Sequence, residues 1–355
     1  MGELVTTLVA EGHEVLWIVA PIDLDHVEVM KSKTLGVKVV ALPPPRPRYS
    51  RLAPIRHSIR QLWGLSQSLT KIVDQFQPEH IFLNQGGTWC GLQDEFWEVL
   101  KKYSHQYSLI CHLNQDQHPF SPSILQRARE LIDRSKSVFF ASLWTRHLAE
   151  RQIAQVIPQS LLFHYPVRFT FTAPLPWPKC TIPRFAMVSR FDTFHKGIDV
   201  ALKAFAKLKQ EGIQFRLTLY GSGEEEAYLQ QLVQFEDLRD DVVFAGYTSK
   251  LEDVWRDQEM LILASRFEGL AVSMIEAMGF GRPVLRTKYG GADWIEHGVD
   301  GYLCAAAEPD LLYDTIRLAL DQRSQWSKMG QLAHAKVVSN LDFHPARVFL
   351  HSLAI

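Results

Sequence analysis

Four charged residues in the second half of the chain have the types and spacing to do chemistry: Arg190, Lys196, Glu268 and Glu276. The guanidinium and ammonium form strong charge-assisted bonds to phosphate oxygens, so the two cations suit a diphosphate. A carboxylate accepts hydrogen bonds from two adjacent hydroxyls, which is what a ribose or a hexose edge presents. Glu276 is assigned to the ribose and Glu268 to a transferred sugar. Cations held on the diphosphate would stabilise the negative charge that grows on it as it leaves, so the chemistry requires no metal and no cofactor beyond a nucleotide diphosphate sugar as donor substrate.

These residues need a frame that brings them to one edge. Short β-rich apolar runs alternate with helical patterns, which is the signature of parallel sheets covered by helices on both faces. In the first half His13–Ala20, Val37–Leu42, Ile81–Asn84, Tyr107–His112 and Val138–Ser142 read as strands. In the second half Phe185–Ser189, Phe215–Tyr220, Val242–Ala245, Met260–Ala264 and Pro283–Arg286 read the same way. In such a sheet ligands bind beyond the carboxyl ends of the strands. Arg190 and Lys196 follow the first strand of the second series, Gly221-Ser222-Gly223 the next, Gly246-Tyr247 the third and Ser265 to Gly269 the fourth. A helix beginning near Gly269 would aim its free N–H groups at the same phosphates, with Glu276 about two turns along it.

Pro174, Pro176, Pro178 and Pro183 interrupt regular structure between the two series. The division expected is 1–172 as an N-terminal acceptor-side domain, 173–340 as the C-terminal nucleotide-sugar domain, and 341–355 as a final helix, opened by Pro345, that packs back on the first domain. A chain of 355 residues holds two such domains comfortably. A formal net charge of -1 favours neither a nucleic-acid binder nor a highly charged scaffold. The cysteines Cys90, Cys111, Cys180 and Cys304 form no close pair, which argues against a zinc site or disulfide framework and suits a reducing cytoplasm. No stretch approaches the roughly 20 apolar residues that span a bilayer.

Taken in order, Val188-Ser189-Arg190-Phe191 to Lys196-Gly197, Tyr220 to Gly223, Phe244 to Tyr247, Ser265 to Leu270, Glu276-Ala277-Met278, Gly281 to Val284 and Gly290-Gly291 resemble the group 1 (family 4) retaining glycosyltransferases. The resemblance runs in register over about residues 180 to 325. It implies the GT-B fold, two Rossmann-like doubly wound α/β domains facing a cleft. It also implies that Arg190 and Lys196 hold the diphosphate, Glu276 the ribose and Glu268 the donor sugar. Backbone around Leu270 and Ala271 would meet the phosphates. Tyr247 would serve either base recognition or packing, and Gly221 either ligand contact or a tight turn. Leu270 and Ala271 stand where the family often has an aromatic residue and a glycine. The family's Gly-Gly-x-x-Glu is shortened to Gly290-Gly291-Ala292-Asp293, which leaves Asp293 as the counterpart of that acid.

The first half is similar to the same fold without its opening strand and glycine-rich loop, since Met1-Gly2-Glu3 enters a helix directly. Loss of a central strand would leave unpaired backbone edges. In the family a histidine near the cleft follows the fourth strand, and His112 is its match, with Asn84 closing the preceding strand. Between Glu28 and Asp74 there is no acidic residue, while Arg46, Arg48, Arg51, Arg56 and Arg60 interleave with prolines and aliphatics. That stretch is either a solvated loop and helix or a basic surface for an anionic lipid headgroup or phosphorylated acceptor. The expectation is a cytoplasmic retaining hexosyltransferase, peripheral to the membrane if that surface is used, with polysaccharide or glycolipid synthesis as its setting. Two alternatives stay open: a non-catalytic GT-B protein that binds a nucleotide sugar or a partner, and a GT-B nucleotide-sugar epimerase.

Overall fold

The computed structural model describes residues 1–20, 23–42, 68–116, 120–167, 169–342 and 346–352. Arg46, Arg48, Arg51, Arg56, Arg60 and Pro345 lie outside the described residues. Among the latter, every strand pairs in parallel. The strands are β1 Leu16–Val19, β2 Lys38–Ala41, β3 Ile81–Gly87, β4 Tyr107–Leu113, β5 Ser137–Phe140, β6 Ser160–Leu162, β7 Arg184–Val188, β8 Arg216–Tyr220, β9 Val242–Gly246, β10 Met260–Leu263, β11 Val284–Thr287 and β12 Gly301–Cys304.

The second half forms one six-stranded sheet in the order β12-β11-β10-β7-β8-β9. From β7 the chain winds outward through β8 and β9, then crosses back to lay β10 on the other side of β7. The order therefore reverses between β7 and β10, and the crevice at their carboxyl ends is where a doubly wound sheet takes its ligand. Helices cover both faces because each presents one apolar stripe. In Ile198–Gln210, for example, Ile198, Ala201, Leu202, Phe205 and Leu208 recur at helical spacing and are all buried against the sheet.

The first half is divided. β3-β4-β5-β6 form a four-stranded sheet, and β1-β2 form a separate two-stranded one. β4 and β5 are almost wholly buried, whereas most of β1 is only half-buried. Among the described residues no strand bridges β1 and β3, and each of those two pairs on one side only. Helix Gly2–Ala10 packs on helix Val27–Thr34 and on the last helix, Ala346–His351.

Two strands lie beyond those read from the sequence. β6 and β12 are edge strands of three and four residues, too short to show alternation. Apolar packing joins the two halves: Ile110, Phe139 and Phe163 from the first share a buried cluster with Leu263, Leu270 and Ala271 from the second, and with Phe349 of the last helix. Phe349 meets Phe82, Phe139 and Phe163 ring to ring.

Candidate active site

Lys196 and Glu268, two of the residues singled out above, meet at the crevice between β7 and β10. Past β7, Asp192 accepts a hydrogen bond from the His195 amide and caps the short turn Thr193–Lys196, and Gly197 in the left-handed region starts helix Ile198–Gln210. That turn aims Lys196 across the crevice, where its Nζ lies 2.7 Å from Glu268 Oε2 on the loop after β10. The pair is largely withdrawn from solvent, with side chains 24% and 12% exposed. Ser265 Oγ donates to the same oxygen at 3.2 Å.

The loop after β10 is fastened on both sides. Arg266 forks onto both carboxylate oxygens of Asp199, at 2.8 and 2.7 Å, and also donates to the Thr193 carbonyl. Planar bidentate pairing fixes direction as well as distance, so it keeps the Lys196 turn and the Glu268 loop together. On the other side Thr287 Oγ1, at the end of β11, donates to the Ser265 carbonyl at 2.7 Å.

Arg190 is 67% exposed and donates to Asp192 Oδ2 at 2.6 Å, and the His195 ring lies 2.8 Å from that same oxygen. Burial alone would raise the Asp192 pKa, but the His195 amide, Arg190 and the His195 ring together hold it down to about 2. Gly221 follows β8 and forms the tight turn: its φ is +140°, and a Cβ there would collide with the Ser189 carbonyl. Tyr247, just beyond β9, is 77% exposed.

Leu270 and Ala271 are buried and precede helix Val272–Gly279, for which Ala271 is the N-cap without a side-chain capping bond. The helix starts at Val272, later than the start near Gly269 read from the sequence. The Glu268–Ala271 stretch stays irregular, and its Gly269 meets the first half backbone to backbone at His112. Glu276 sits on this helix, half-buried. Asp293 is exposed in the short turn Ala292–Trp294, and the preceding Gly290 lies against the Glu268 carbonyl.

From the first half, His112 at the end of β4 faces this loop. A Cβ at Gly269 would fall on the His112 carbonyl oxygen and within contact of Ala141, so glycine there permits backbone to touch backbone across the cleft. The His112 ring is bonded at both nitrogens: Nδ1 to the Tyr165 hydroxyl at 2.9 Å and Nε2 to Asn84 Oδ1 at 2.6 Å. Burial, helped by the nearby amino terminus, lowers its pKa to about 4. Burial, with a smaller contribution from the charge of Glu268, pushes the Tyr165 phenol upward. A cavity beside this group is lined by Leu4, Asn84, His112, Phe163, His164 and Tyr165 among others.

Sequence reasoning passed over four of these residues. Asp192, Ser265 and Tyr165 hold the residues it had named. The fourth, Arg286, lies wholly buried behind the Glu268 and Gly290 loops and donates to the Thr287 and Tyr289 carbonyls and to Met274 Sδ. Burial lowers its pKa to about 10, against the pull of Glu268 and Asp293. An arginine inside the apolar strand Val284-Leu285-Arg286 was the available signal. Among the described residues no group of three or more His, Cys, Asp or Glu side chains is arranged to hold a metal ion.

Two parallel α/β sheets, with a crevice at the switch point of the second and a histidine from the first facing it, are the arrangement of the GT-B fold. Residues 182–322 match the family model described as glycosyl transferases group 1. An uncharacterised glycosyltransferase of Haemophilus influenzae is 34% identical over 112 residues, which are 31% of this chain and 32% of that protein. The N-acetyl-alpha-D-glucosaminyl L-malate synthase of Bacillus anthracis is 29% identical over 143 residues, 40% of this chain and 37% of that one. The aligned part thus spans about a third of these curated relatives. The fold likeness is wider: Anabaena HepE in complex with UDP-glucose superposes with a TM-score of 0.68 at 18% identity, covering 99% of this chain and 95% of that one.

Proposed function

We propose that this chain is a metal-independent, retaining hexosyltransferase that takes its sugar from a nucleotide diphosphate donor. The donor lies in a C-terminal domain, 173–340. The acceptor enters from an N-terminal domain, 1–172, with 341–355 returning to it, and the cleft closes on a hinge near Phe171–Pro183. The observation that carries the reading is the Lys196–Glu268 pair bridging the sheet's switch point, with Arg190 and the start of helix Val272–Gly279 around it. A bound diphosphate would take Lys196 and Arg190 as counter-ions, releasing Glu268 to accept from a sugar hydroxyl, while Glu276 takes the ribose. Gly221 lets the donor approach β8 closely, Tyr247 borders the base, the Leu270 and Ala271 amides meet the phosphates, and Asp293 stands at the rim. His112 meets the transferred sugar from the other side. That HepE was solved with UDP-glucose supports a nucleotide-sugar donor.

No described helix is long and apolar enough to cross a membrane. The Arg46–Arg60 stretch would bring the enzyme against an anionic lipid or phosphorylated acceptor, in the cytoplasm.

The test is transfer from a panel of nucleotide diphosphate sugars, chosen by the thermal shift each produces, with and without chelator. Transfer should survive chelation, and Arg190→Ala and Glu276→Ala should each lower it by about a hundredfold or more, the scale of losing one charge-stabilising or orienting contact, without lowering the melting temperature of the free protein. Full activity in either variant would overturn the site assignment.

A further inference from the structure

We propose that Tyr165 is a positioning residue that, together with Asn84, fixes His112 as the neutral tautomer carrying its proton on Nε2, turning that ring into a hydrogen-bond donor at the cleft. Asn84 presents its amide oxygen to Nε2 at 2.6 Å, and a carbonyl oxygen at that distance accepts from an N–H. Nδ1 then holds the lone pair, and the only hydrogen for it is the one on the Tyr165 hydroxyl, 2.9 Å away. A phenol can donate, so the tyrosine meets this polarity where an ionised carboxylate, which only accepts, would not.

The ring contacts leave His112 little freedom to choose otherwise. Tyr165 stacks on it at 5.4 Å with the planes 8° apart, and Phe163 meets both rings edge-on at 5.4 and 5.5 Å. Burial keeps the imidazole neutral at physiological pH, so the question at this site is which nitrogen bears the proton. Tyr165 also feels the charge of Glu268, which puts it between the histidine of the first half and the carboxylate of the second. Within the proposed reaction, a donor N–H on His112 serves a sugar hydroxyl once Asn84 yields it. A base at that position would need the opposite tautomer.

This inference rests on the glycosyl-transfer reading for its effect on rate but not for the tautomer itself, so both are measured. Long-range proton–nitrogen correlation spectra of protein labelled with ¹⁵N-histidine distinguish the tautomers, with His112→Gln to assign the signal. Wild type should show a protonated Nε2 and an unprotonated Nδ1. Asn84→Ala, which removes the acceptor at Nε2, and Tyr165→Phe, which keeps the stack but removes the donor at Nδ1, should each shift the signals toward a mixture. Tyr165→Phe should also lower kcat five- to tenfold with the donor KM changed less than twofold. A wild-type proton on Nδ1, or a Tyr165→Phe spectrum identical to wild type, would overturn the proposal. A changed tautomer with unchanged kcat would leave the hold of Tyr165 on His112 standing and remove His112 from the reaction instead.

Discussion

At the scale of the residue, burial and charge separate groups that look alike in the sequence. His112 is neutral in the fold because the cost of charging a buried ring brings its pKa from an ordinary value of 6.5 to about 4. Between those values the unfolded chain holds a proton that the folded chain does not, so stability is fully present above pH 6.5 and is lost as pH falls toward 4. By the size of the shift the loss should reach on the order of 3 kcal/mol. His80 and His164 are lowered by burial as well and add to the slope in the same direction. Urea unfolding of wild type and His112→Gln across this range isolates the one ring: the two proteins should converge in stability as pH falls. Parallel curves would mean that His112 is as solvated in the fold as out of it. Asp192 shows the opposite balance, since three donors outweigh its burial and keep it charged to about pH 2 beside Arg190.

At the scale of the element, the segment between the two halves is held by one buried side chain. Arg282 is wholly buried at the start of β11, where its Nε donates to the carbonyls of Trp255 and Gln258 at 2.8 and 2.9 Å. Nη1 reaches Leu175, Phe280 and Gly281, Nη2 reaches Pro176 at 2.8 Å, and the guanidinium covers the Trp177 ring. A proline-rich segment cannot satisfy its own carbonyls through regular structure, so a multidentate donor does it from outside. Arg282→Met keeps much of the volume and strands those carbonyls, and should lower urea stability by about 3–5 kcal/mol at an unchanged m-value. A loss under about 1 kcal/mol would show that water replaces the guanidinium at no cost. Arg282 entered the sequence reading only as part of a motif, and its work could not be read there because its partners on Trp255, Gln258, Leu175 and Pro176, 24 to 107 residues away, are backbone groups whose position is set by tertiary packing. The strands that carry the donor residues were legible for the contrary reason: Phe185 to Ser189 or Met260 to Ala264 are apolar runs whose burial is local in sequence. The same limit hid Tyr165, which lies in an irregular segment 53 positions from the histidine it holds.

At the scale of the whole molecule, the two halves touch where the chemistry is placed. Lys196 and Glu268 belong to one sheet and His112 to the other, and a backbone-to-backbone approach between them runs through Gly269. The apolar cluster shared by Ile110, Leu263, Leu270 and Phe349 supports the halves, but side-chain packing alone does not require their backbones to touch. Gly269 permits that contact, since any side chain there would occupy the place of the His112 carbonyl. Gly269→Ala therefore acts as a wedge that disfavours the closed arrangement and leaves the donor-holding sheet untouched. On the proposed function, closure would bring the first half onto a bound sugar and exclude water. Transfer should drop at least tenfold, while the Kd for the nucleoside diphosphate, measured by calorimetry, should change less than about threefold because its contacts all lie within the second half. If both quantities stay at wild-type levels, the halves do not need this contact to react, and closure belongs elsewhere in the molecule. If the Kd weakens in step with the rate, the wedge has distorted the Glu268 loop itself, and the cleft's width is not what Gly269 controls.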